Sequence, residues 1–397
     1  MIKFDLETNT KNFYKEEDLQ KLLGRKEEIL EKLEKADMTG WMRPINKDIV
    51  NTIKTTAHEI KEKYNCLVVI GIGGSYLGSY AFSKIFQKYF NDNSFEIIYA
   101  GTTLSSNYLS DLEKYLQNRN FCVNVISKSG NTLETLITYN FLKKVITNKY
   151  GEEELKNRII ITTNDKDGSL REEALIKKLK TLSFPDDIGG RFSFLTPAHL
   201  LPLALNYNID EIIEGYYEGK KLTDIAYEYA AIRNLLYNEG KVVENFAVYE
   251  ENMQPFTEWL KQLFGETEGK NKKGILPMST INTRDLHSLG QFIQDGNNII
   301  FETFIKTTNY KEFIEYKGRG IHDINNLIED SVIKAHSIGN VPSFLIELTE
   351  LDIESISTLI YFFMLAASFS AYMFDLNPFD QPGVEVYKKE VKNALNN

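Results

Sequence analysis

The feature of this sequence that most constrains its fold is an alternation between short apolar runs and amphipathic segments across residues 66–164. Four runs have the length of a buried strand: CLVVIGI, FEIIYAG, FCVNVIS and RIIITTN. The segments between them, NTLETLITYNFLKKVITNKY among them, space their apolar residues as a helix does. Strands that alternate with helices build a parallel sheet with right-handed crossovers and helices on both faces. The sequence therefore predicts an α/β fold for this region.

A second α/β unit is predicted in the C-terminal half. Residues 196–240 have a helical pattern, and strand-like runs then return as ENFAVYE, NIIFETFI and SFLIELTE, with helical segments between them. A chain of 397 residues is longer than one ordinary domain, and no Pro-rich or low-complexity linker divides it. We therefore expect the boundary between the two units near residues 200–210.

The charge of the chain limits its partners. A formal net charge of −10 opposes non-specific binding to nucleic acid or to an anionic membrane, since either needs a basic surface. The opening residues MIKFDLETNT have neither the basic nor the apolar region of a secretory signal, which predicts a cytoplasmic protein. Cys66 and Cys122 each begin an apolar run without a Cys or His at metal-ligand spacing, so both are predicted to be reduced core residues.

One apolar stretch is long enough to suggest a membrane span. Residues 356–374 hold 19 residues without a charge, about the length that crosses a bilayer. The flanks of this stretch are acidic, and no Lys or Arg follows it until Lys388, whereas a span is usually anchored by basic residues. We therefore predict a helix buried inside a domain, and no membrane partner.

A glycine-rich motif follows the first predicted strand. In GIGGSYLG, Gly74 and Ser75 lie where the carboxyl end of the strand turns into a helix, the edge at which open α/β sheets bind ligands. Small residues admit an anion or a polyol to the backbone, and the helix start offers free N–H groups. Tyr76 stands where the dinucleotide fingerprint needs a glycine, so NAD is not predicted. A tight turn without a ligand is the alternative.

A second polar motif, SKSGNTLET, follows the third predicted strand. Its hydroxyl groups, its ammonium group and the backbone N–H groups of a helix start could hold a phosphate monoester. The alternative is an ordinary helix N-cap. Two such loops after neighbouring strands are harder to explain by capping, which favours a phosphate site lined by Ser127, Lys128, Ser129 and Thr132.

Two further motifs offer charged groups. In GGRFSFLTPAHL, Arg191 follows two glycines and could stabilise a developing oxyanion, although an ordinary surface ion pair is the alternative. In QLFGETEGKNKKG, Glu266 lies on a predicted bend between two glycines and could act as a general base. A solvated charged turn is the alternative for Glu266.

Metal chemistry is not predicted, because the five histidines have no HExxH motif and no paired spacing. Acid and base work then falls to single side chains. His287 is predicted at a helix start. Gln381 and Lys388 are seven residues apart, about two turns, on one face of a predicted terminal helix at 381–395. Taken alone, each of these residues is explained as well by an ordinary surface position.

Six blocks taken in chain order resemble the signature sequences of the glucose-6-phosphate isomerase family, most of all its shorter bacterial members: GIGGSYLG, ISKSGNTLET, GGRFSFLTPAHL, GETEGK, DLHSLGQ and DQPGVEVYKK. The resemblance spans residues 66–395. It implies two sugar isomerase (SIS) domains, each a parallel β-sheet sandwiched by α-helices. The implied division is a helical N-terminal segment at 1–45, SIS domains at 46–205 and 206–376, and a C-terminal helix at 377–397.

The resemblance also implies the chemistry, a reversible conversion of D-glucose 6-phosphate to D-fructose 6-phosphate without a cofactor or metal. Glu266 would move a proton between C1 and C2, and Arg191 with the Gly190 backbone would stabilise the cis-enediolate. His287 and Lys388 would open the sugar ring. Glu134 would orient His287, and the remaining substrate contacts would come from Gly74, Ser75, Ser127, Lys128, Ser129, Thr132 and Gln381.

The same resemblance implies a homodimer, because family members take the histidine of each active site from the neighbouring subunit. The chain departs from many members in the details of its loops, at Tyr76, Ser79, Glu268 and Pro382. Glu268 adds a second carboxylate close to Glu266, and its effect depends on where its side chain points.

Two other functions stay open at this point. One is an isomerase for a different hexose phosphate, such as mannose 6-phosphate or an amino sugar phosphate. The other is a non-catalytic SIS sensor of sugar phosphates. A sensor is disfavoured because the N-terminal helices are acidic and contain no basic recognition helix, and because Glu266, His287 and Lys388 are all present.

Overall fold

The computed structural model describes residues 1–90, 94–310 and 313–396. The chain forms two compact units, which we call the first unit (Asp37–Asp210) and the second unit (Met1–Ala36 with Glu211–Asn397). The implied division into a segment at 1–45, domains at 46–205 and 206–376 and a helix at 377–397 follows sequence blocks rather than contacts, and it stays a prediction.

The strands lie in two five-stranded sheets and one short hairpin. In chain order they are β1 (Ile2–Asp5), β2 (Cys66–Ile70), β3 (Glu96–Ala100), β4 (Phe121–Ile126), β5 (Ile159–Thr163), β6 (Lys180–Ser183), β7 (Val243–Val248), β8 (Leu276–Ile281), β9 (Ile300–Thr307), β10 (Glu315–Tyr316), β11 (Arg319–Gly320) and β12 (Ser343–Leu348).

The helices connect these strands and cover the sheets. They are α1 (Glu16–Leu23), α2 (Lys26–Glu34), α3 (Lys47–Lys63), α4 (Leu77–Phe86), α5 (Ser106–Leu116), α6 (Leu133–Tyr150), α7 (Leu155–Arg158), α8 (Ser169–Lys177), α9 (Pro197–Ala204), α10 (Ile209–Glu218), α11 (Thr223–Asn238), α12 (Gln254–Glu268), α13 (Gly290–Asp295), α14 (Ile321–Ile338), α15 (Ile353–Met373) and α16 (Pro382–Asn396).

The first unit contains a parallel sheet with the strand order β3-β2-β4-β5-β6. Its central strands β2 and β4 are buried along their whole length, which is why their sequences are unbroken apolar runs. Ile70 at the end of β2 pairs with Ala100 of β3 on one side and with Val125 of β4 on the other. The strand order reverses at β2, so the loops after β2 and β4 flank the topological switch point where such sheets bind ligands.

The second unit contains a sheet with the order β1-β12-β9-β7-β8. Four of its strands are parallel, and β1 adds an antiparallel edge, with Ile2 opposite Leu348. Pro277 lies in β8, a position that a strand tolerates at the edge of a sheet, where one side of the backbone has no partner. The α/β class with parallel sheets, predicted from the strand and helix alternation, is confirmed.

The long apolar stretch is α15, and it is a core helix of the second unit. It is the one described helix long and apolar enough to cross a membrane, and the apolar part of it is wholly buried. Its aromatic side chains pack within the unit: the ring centroids of Phe362 and Phe4 are 4.7 Å apart, and those of Tyr361 and Tyr216 are 4.9 Å apart. The prediction of a buried helix is confirmed. Cys66 and Cys122 are likewise buried free thiols, as predicted.

Several elements differ from the prediction in ways that have local causes. The segment implied to be helical at 1–45 begins with a strand, β1, and its helices α1 and α2 are separated at Gly24 and Arg25. The edge strands β6 and β8 were not predicted, because KTLS buries only one residue and LPMSTI contains a proline. His287, which was predicted at a helix start, lies at the end of a 3-10 turn at Arg284–His287 that precedes α13.

Candidate functional site

The loop after β2 is shaped by a close approach between two backbone segments of the first unit. A 3-10 turn at Gly73–Ser75 leads into α4. A Cβ atom on Gly74 would lie 2.2 Å from the carbonyl carbon of Gly190 and 2.7 Å from the amide nitrogen of Arg191. Only glycine fits there. The glycine-rich motif thus brings Ser75 and the Gly190–Arg191 backbone into one neighbourhood.

The loop after β4 turns its hydroxyl groups toward one another. Ser127, which is buried, and Thr132 have their side-chain oxygens 2.9 Å apart. The Thr132 hydroxyl makes no capping hydrogen bond to α6, so the alternative of a simple side-chain N-cap is wrong for this threonine. Gly130 has a φ of +68°, a left-handed conformation that favours glycine. The start of α6 is left with backbone N–H groups of the kind that bind anions.

Lys128 links this loop to the segment that precedes Arg191. Its Nζ donates to the carbonyl oxygens of Asp186 at 2.7 Å and of Ile188 at 2.8 Å. Burial lowers the pKa of the Lys128 ammonium group, although Asp186 opposes that shift. With two of its three N–H donors on carbonyl oxygens, Lys128 has one left for a ligand.

Arg191 is buried rather than a surface arginine, with only 2% of its area exposed. It lies in a 3-10 turn at Gly190–Phe192, directly before α9. Phe192 stacks on Trp41, with ring centroids 5.5 Å apart, and the Arg191 guanidinium carbon is also 5.5 Å from the Phe192 ring. The surface alternative for this arginine is therefore wrong. Its buried position suits a group that stabilises charge where water is excluded.

His199 is a buried polar residue of this region whose importance sequence reasoning missed. The imidazole Nε2 is 2.9 Å from the Gly74 carbonyl oxygen, and Nδ1 accepts a hydrogen bond from the Ser79 backbone N–H at 3.1 Å. Burial lowers the pKa of His199 to about 4. A histidine within the apolar run PAHLLPLA was the available signal, because a polar group in such a run needs an internal partner.

In the second unit, Glu266 lies in the last turn of α12 and not on a bend as predicted, because the helix continues to Glu268 and ends at Gly269. Its carboxylate is half-buried. Gln262, one turn earlier on the helix, donates to Glu266 Oε1 at 3.2 Å, and Gln381 donates to Glu266 Oε2 at 2.9 Å. The solvated-turn alternative is therefore wrong, and the two amides hold the carboxylate in one orientation.

Glu268 points away from Glu266 into the core of the second unit. Arg233 donates to Glu268 Oε1 at 2.5 Å, and the same guanidinium donates through Nε to Glu244 Oε2 at 2.8 Å. All three side chains are fully buried. Burial raises the pKa of Glu268, and Arg233 opposes the rise. Glu268 is thus a structural partner of Arg233.

The predicted acid/base residues of the second unit lie at its surface. His287 is exposed at the end of its 3-10 turn and makes no hydrogen bond with any described residue. Lys388 is exposed on α16, 2.8 Å from Glu385. Gln381 does not share a helical face with Lys388 as predicted, because α16 begins at Pro382 and Gln381 lies before it. In the first unit, Glu134 is half-buried in the first turn of α6, and Ser129 is exposed beside Ser127.

The arrangement can be summarised unit by unit. The first unit gathers two loops rich in hydroxyl and N–H groups, together with Arg191, at the switch point of a parallel sheet. The second unit presents a half-buried carboxylate held by two amides. Among the described residues, no three His, Cys, Asp or Glu side chains are grouped to hold a metal ion. A parallel sheet with two such loops at its switch point defines an α/β protein of a kind that binds small ligands.

Solved structures share this fold. The glucose-6-phosphate isomerase of Chlamydia trachomatis aligns with a TM-score of 0.84 at 18% identity, covering 100% of this chain and 88% of that one. A hypothetical protein from Thermus thermophilus aligns with a TM-score of 0.87 at 24% identity, covering 100% of both chains.

Sequence comparison is more specific than the fold. The family described as phosphoglucose isomerase matches residues 40–322. The glucose-6-phosphate isomerase of Mycoplasma capricolum is 41% identical over 422 aligned positions, which cover 100% of this chain and 99% of the relative. The enzyme of that name from Streptococcus mutans is 42% identical over 387 positions, covering 90% and 86%. The chain belongs to the phosphoglucose isomerase family, which confirms the resemblance of its sequence blocks.

Proposed function

We propose that this protein interconverts D-glucose 6-phosphate and D-fructose 6-phosphate. The observation that carries the proposal is the 41% identity, along the whole chain, to a relative named glucose-6-phosphate isomerase. The geometry of each unit agrees with that chemistry, because aldose-ketose isomerisation needs an anion-binding site and a positioned carboxylate base.

The phosphate group is assigned to the loops of the first unit. Hydroxyl groups and helix-terminal N–H groups suit a phosphate dianion. This assignment is supported by the buried Ser127 and by the uncapped start of α6. The proposed contacts are Gly74, Ser75, Ser127, Lys128, Ser129 and Thr132.

Glu266 is assigned as the base that moves the proton. In the open-chain aldose, its carboxylate takes the proton from C2, next to the C1 carbonyl, and the electrons shift onto the carbonyl oxygen. The C2 hydroxyl proton then passes to the C1 oxygen, Glu266 returns its proton to C1, and C2 becomes the new carbonyl carbon. The intermediate is a cis-enediolate. Arg191, with the Gly190 backbone, is assigned to stabilise its negative charge, since a buried guanidinium acts strongly where water is excluded.

Ring opening is assigned to His287 and Lys388, which would exchange protons with the ring oxygen and the C1 hydroxyl. The exposed imidazole of His287 is free to reach a ligand, since no described residue hydrogen bonds to it. Glu134 is proposed to orient His287, and Gln381 is proposed to contact the substrate while holding Glu266. No cofactor is part of this scheme.

A coupled assay tests the proposed reaction directly. Purified protein is given fructose 6-phosphate, and glucose 6-phosphate is measured with and without a metal chelator. We expect equal turnover in both conditions. Loss of activity with the chelator would contradict the cofactor-free scheme. Turnover of mannose 6-phosphate or an amino sugar phosphate in preference to fructose 6-phosphate would contradict the substrate assignment.

We further propose a homodimer with shared active sites. The second unit exposes several large apolar side chains around one hairpin: Phe313, Ile314, Tyr316, Ile321 and Leu327, each at least half exposed. Ile314 and Ile321 are neighbours, because the Ile321 N–H donates to the Ile314 carbonyl oxygen at 2.7 Å, and the paired strands β10 and β11 lie between them. Several exposed large apolar side chains around one short hairpin are typical of a protein interface.

Complementation tests the shared sites. Inactive His287→Ala protomers are mixed with inactive Glu266→Gln protomers under conditions in which subunits exchange, and light scattering measures the oligomeric state. We expect a dimer and partial recovery of activity. A monomer, or no recovery after demonstrated exchange, would contradict the dimer. A cytoplasmic location also belongs to this proposal, and cell fractionation tests it.

A further inference from the structure

His199 is a buried residue of the first unit whose side chain contacts both Gly74, in the loop after β2, and Ser79, in the first turn of α4. The imidazole is 1% exposed. Its Nε2 atom is hydrogen bonded to the Gly74 carbonyl oxygen, and its Nδ1 atom is hydrogen bonded to the Ser79 N–H. Ser75 lies between these two partners in the chain. Gly78 leaves room for the ring, because a Cβ atom there would lie 3.2 Å from His199 Cε1.

The hydrogen-bond pattern fixes the tautomer of His199. The Ser79 group is a backbone N–H, which can only donate, so Nδ1 must be the unprotonated acceptor. The proton is therefore on Nε2, which donates to the Gly74 carbonyl oxygen at 2.9 Å. This neutral form agrees with the lowered pKa of about 4, which burial produces. The Ser79 N–H, one of the free donors at the start of α4, is thereby satisfied from within the protein.

Ser193 extends the same contact to the segment that contains Arg191. Its hydroxyl oxygen is 2.7 Å from the Gly190 carbonyl oxygen, 3.0 Å from the Gly74 carbonyl oxygen and 3.1 Å from His199 Nε2. Gly74 and Gly190 are in direct backbone contact. A shift of the Gly74 carbonyl group would therefore move the Gly190 backbone and Arg191 as well.

We propose that His199 is a positioning residue that locks the Ser75 loop against the Gly190–Arg191 turn, so that phosphate contacts and the oxyanion stabiliser are set before substrate binds. The inference rests on the proposed function. It assigns no contact between His199 and substrate. The proposal explains why α9, an otherwise apolar helix, contains a buried histidine. The two hydrogen bonds of the imidazole orient the loop, whereas an apolar side chain would contribute only packing.

Three substitutions separate the two hydrogen bonds. In His199→Gln the amide oxygen and nitrogen can replace Nδ1 and Nε2. In His199→Asn, whose side chain is shorter, only the hydrogen bond from the Ser79 N–H remains, and in His199→Leu both hydrogen bonds are lost. We expect kcat/KM to fall in the order Gln, Asn, Leu, with a loss of about a hundredfold for Leu, because catalysis is sensitive to displacements of about 1 Å. The inhibition constant of inorganic phosphate, which reports on the Ser75 loop, should rise in the same order.

A purely structural role is excluded by a matched control. Leu116→Ala removes a fully buried side chain of α5 in the core of the same unit, so it should lower the unfolding temperature while leaving kcat/KM and phosphate inhibition unchanged. The wild-type protein is assayed alongside: if it does not turn over fructose 6-phosphate, the proposed function fails, whereas the inference is judged only by comparing the variants with an active wild type. If His199→Leu has the kcat/KM and the phosphate inhibition constant of the wild type, the inference is overturned. If the leucine variant does not fold, the same comparison is made with His199→Asn. An equal kinetic loss in Leu116→Ala would overturn the inference as well.

Discussion

The carboxamide of Gln381 donates a hydrogen bond of 2.9 Å to Oε2 of Glu266, although the two residues are 115 positions apart in the chain. A second contact joins the same two segments: Lys270, just after α12, donates a hydrogen bond to Asp380 Oδ1 at 2.7 Å. The segment before α16 is thus fastened beside the end of α12. An amide held in this way can fix the orientation of the Glu266 carboxylate, which we propose is the catalytic base.

The first prediction concerns this contact. Gln381→Leu removes one of the two amide donors to Glu266, and hydrogen bonds to a charged group each contribute about 1.5–3 kcal/mol. We expect kcat to fall by about ten- to a hundredfold. Steady-state kinetics with fructose 6-phosphate measures the change. Gln262→Leu removes the longer contact at 3.2 Å and should have a smaller effect. A Gln381 variant with wild-type kcat would contradict the role of this amide.

The second prediction concerns the proposed base. Glu266→Gln keeps the shape of the side chain but removes the carboxylate that we propose accepts the substrate proton. We expect kcat to fall by roughly 10²–10⁴-fold with little change in KM, as for an interaction that matters mainly in the transition state. Glu258→Gln, which changes a partly exposed carboxylate of the same helix paired with Lys261, is the control and should keep normal turnover. Near-normal turnover in Glu266→Gln would remove Glu266 as the base.

Local pattern was enough to predict the central strands and the positions of the two polar loops that follow them. β2 and β4 are buried on both faces, so their sequences are continuous apolar runs, and small or hydroxyl residues follow them directly. The edge strand β8 gave no such signal. Its proline and its polar residues are tolerated because only one side of the strand is paired, and sequence alone does not show which strands are at an edge.

Contacts between residues far apart in the chain could not be predicted from the sequence pattern. His199 contacts Gly74, 125 positions away, and Gln381 contacts Glu266, 115 positions away. Neither contact leaves a periodic signal in the sequence, because each depends on how whole helices pack. The exposure of Glu266 was misjudged for a related reason: the glycines around it suggested a bend, whereas α12 continues through Gly265 and ends only at Gly269.

The third prediction concerns the buried charges behind Glu266. Arg233→Met would leave the carboxylates of Glu244 and Glu268 buried without their cation, and breaking a buried ion pair by removing one partner costs about 3–5 kcal/mol. We expect the free energy of unfolding, measured by urea denaturation, to fall by that amount. Lys21→Met, which breaks an exposed pair with Asp18, should change it little. Equal effects of the two substitutions would contradict the proposed importance of the buried cluster.

The fourth prediction concerns Glu329, a carboxyl group of α14 that is buried, with Oε1 lacking a hydrogen-bond partner among the described residues. Burial raises the pKa of Glu329 to about 8, and Lys306 opposes the rise. The carboxylates that add to the rise belong to Asp330, Glu347 and Glu250. Between the ordinary value of 4.5 and about 8, the folded protein keeps a proton that the unfolded chain has lost. Wild-type stability should therefore decrease as pH rises through this window.

Glu329→Gln removes this ionisation, so the variant should lose less stability than the wild type between about pH 5 and pH 8. The difference in unfolding free energy between variant and wild type should grow in favour of the variant by on the order of 1.4 kcal/mol per pH unit. The comparison of slopes matters, because the amide itself changes stability by an amount that does not depend on pH. The pH dependence of the unfolding free energy of variant and wild type is measured by thermal or urea unfolding at several pH values. Glu390→Gln, at an exposed position of α16, should run parallel to the wild type. If the Glu329 and Glu390 variants show the same pH dependence, Glu329 does not retain its proton in the folded protein.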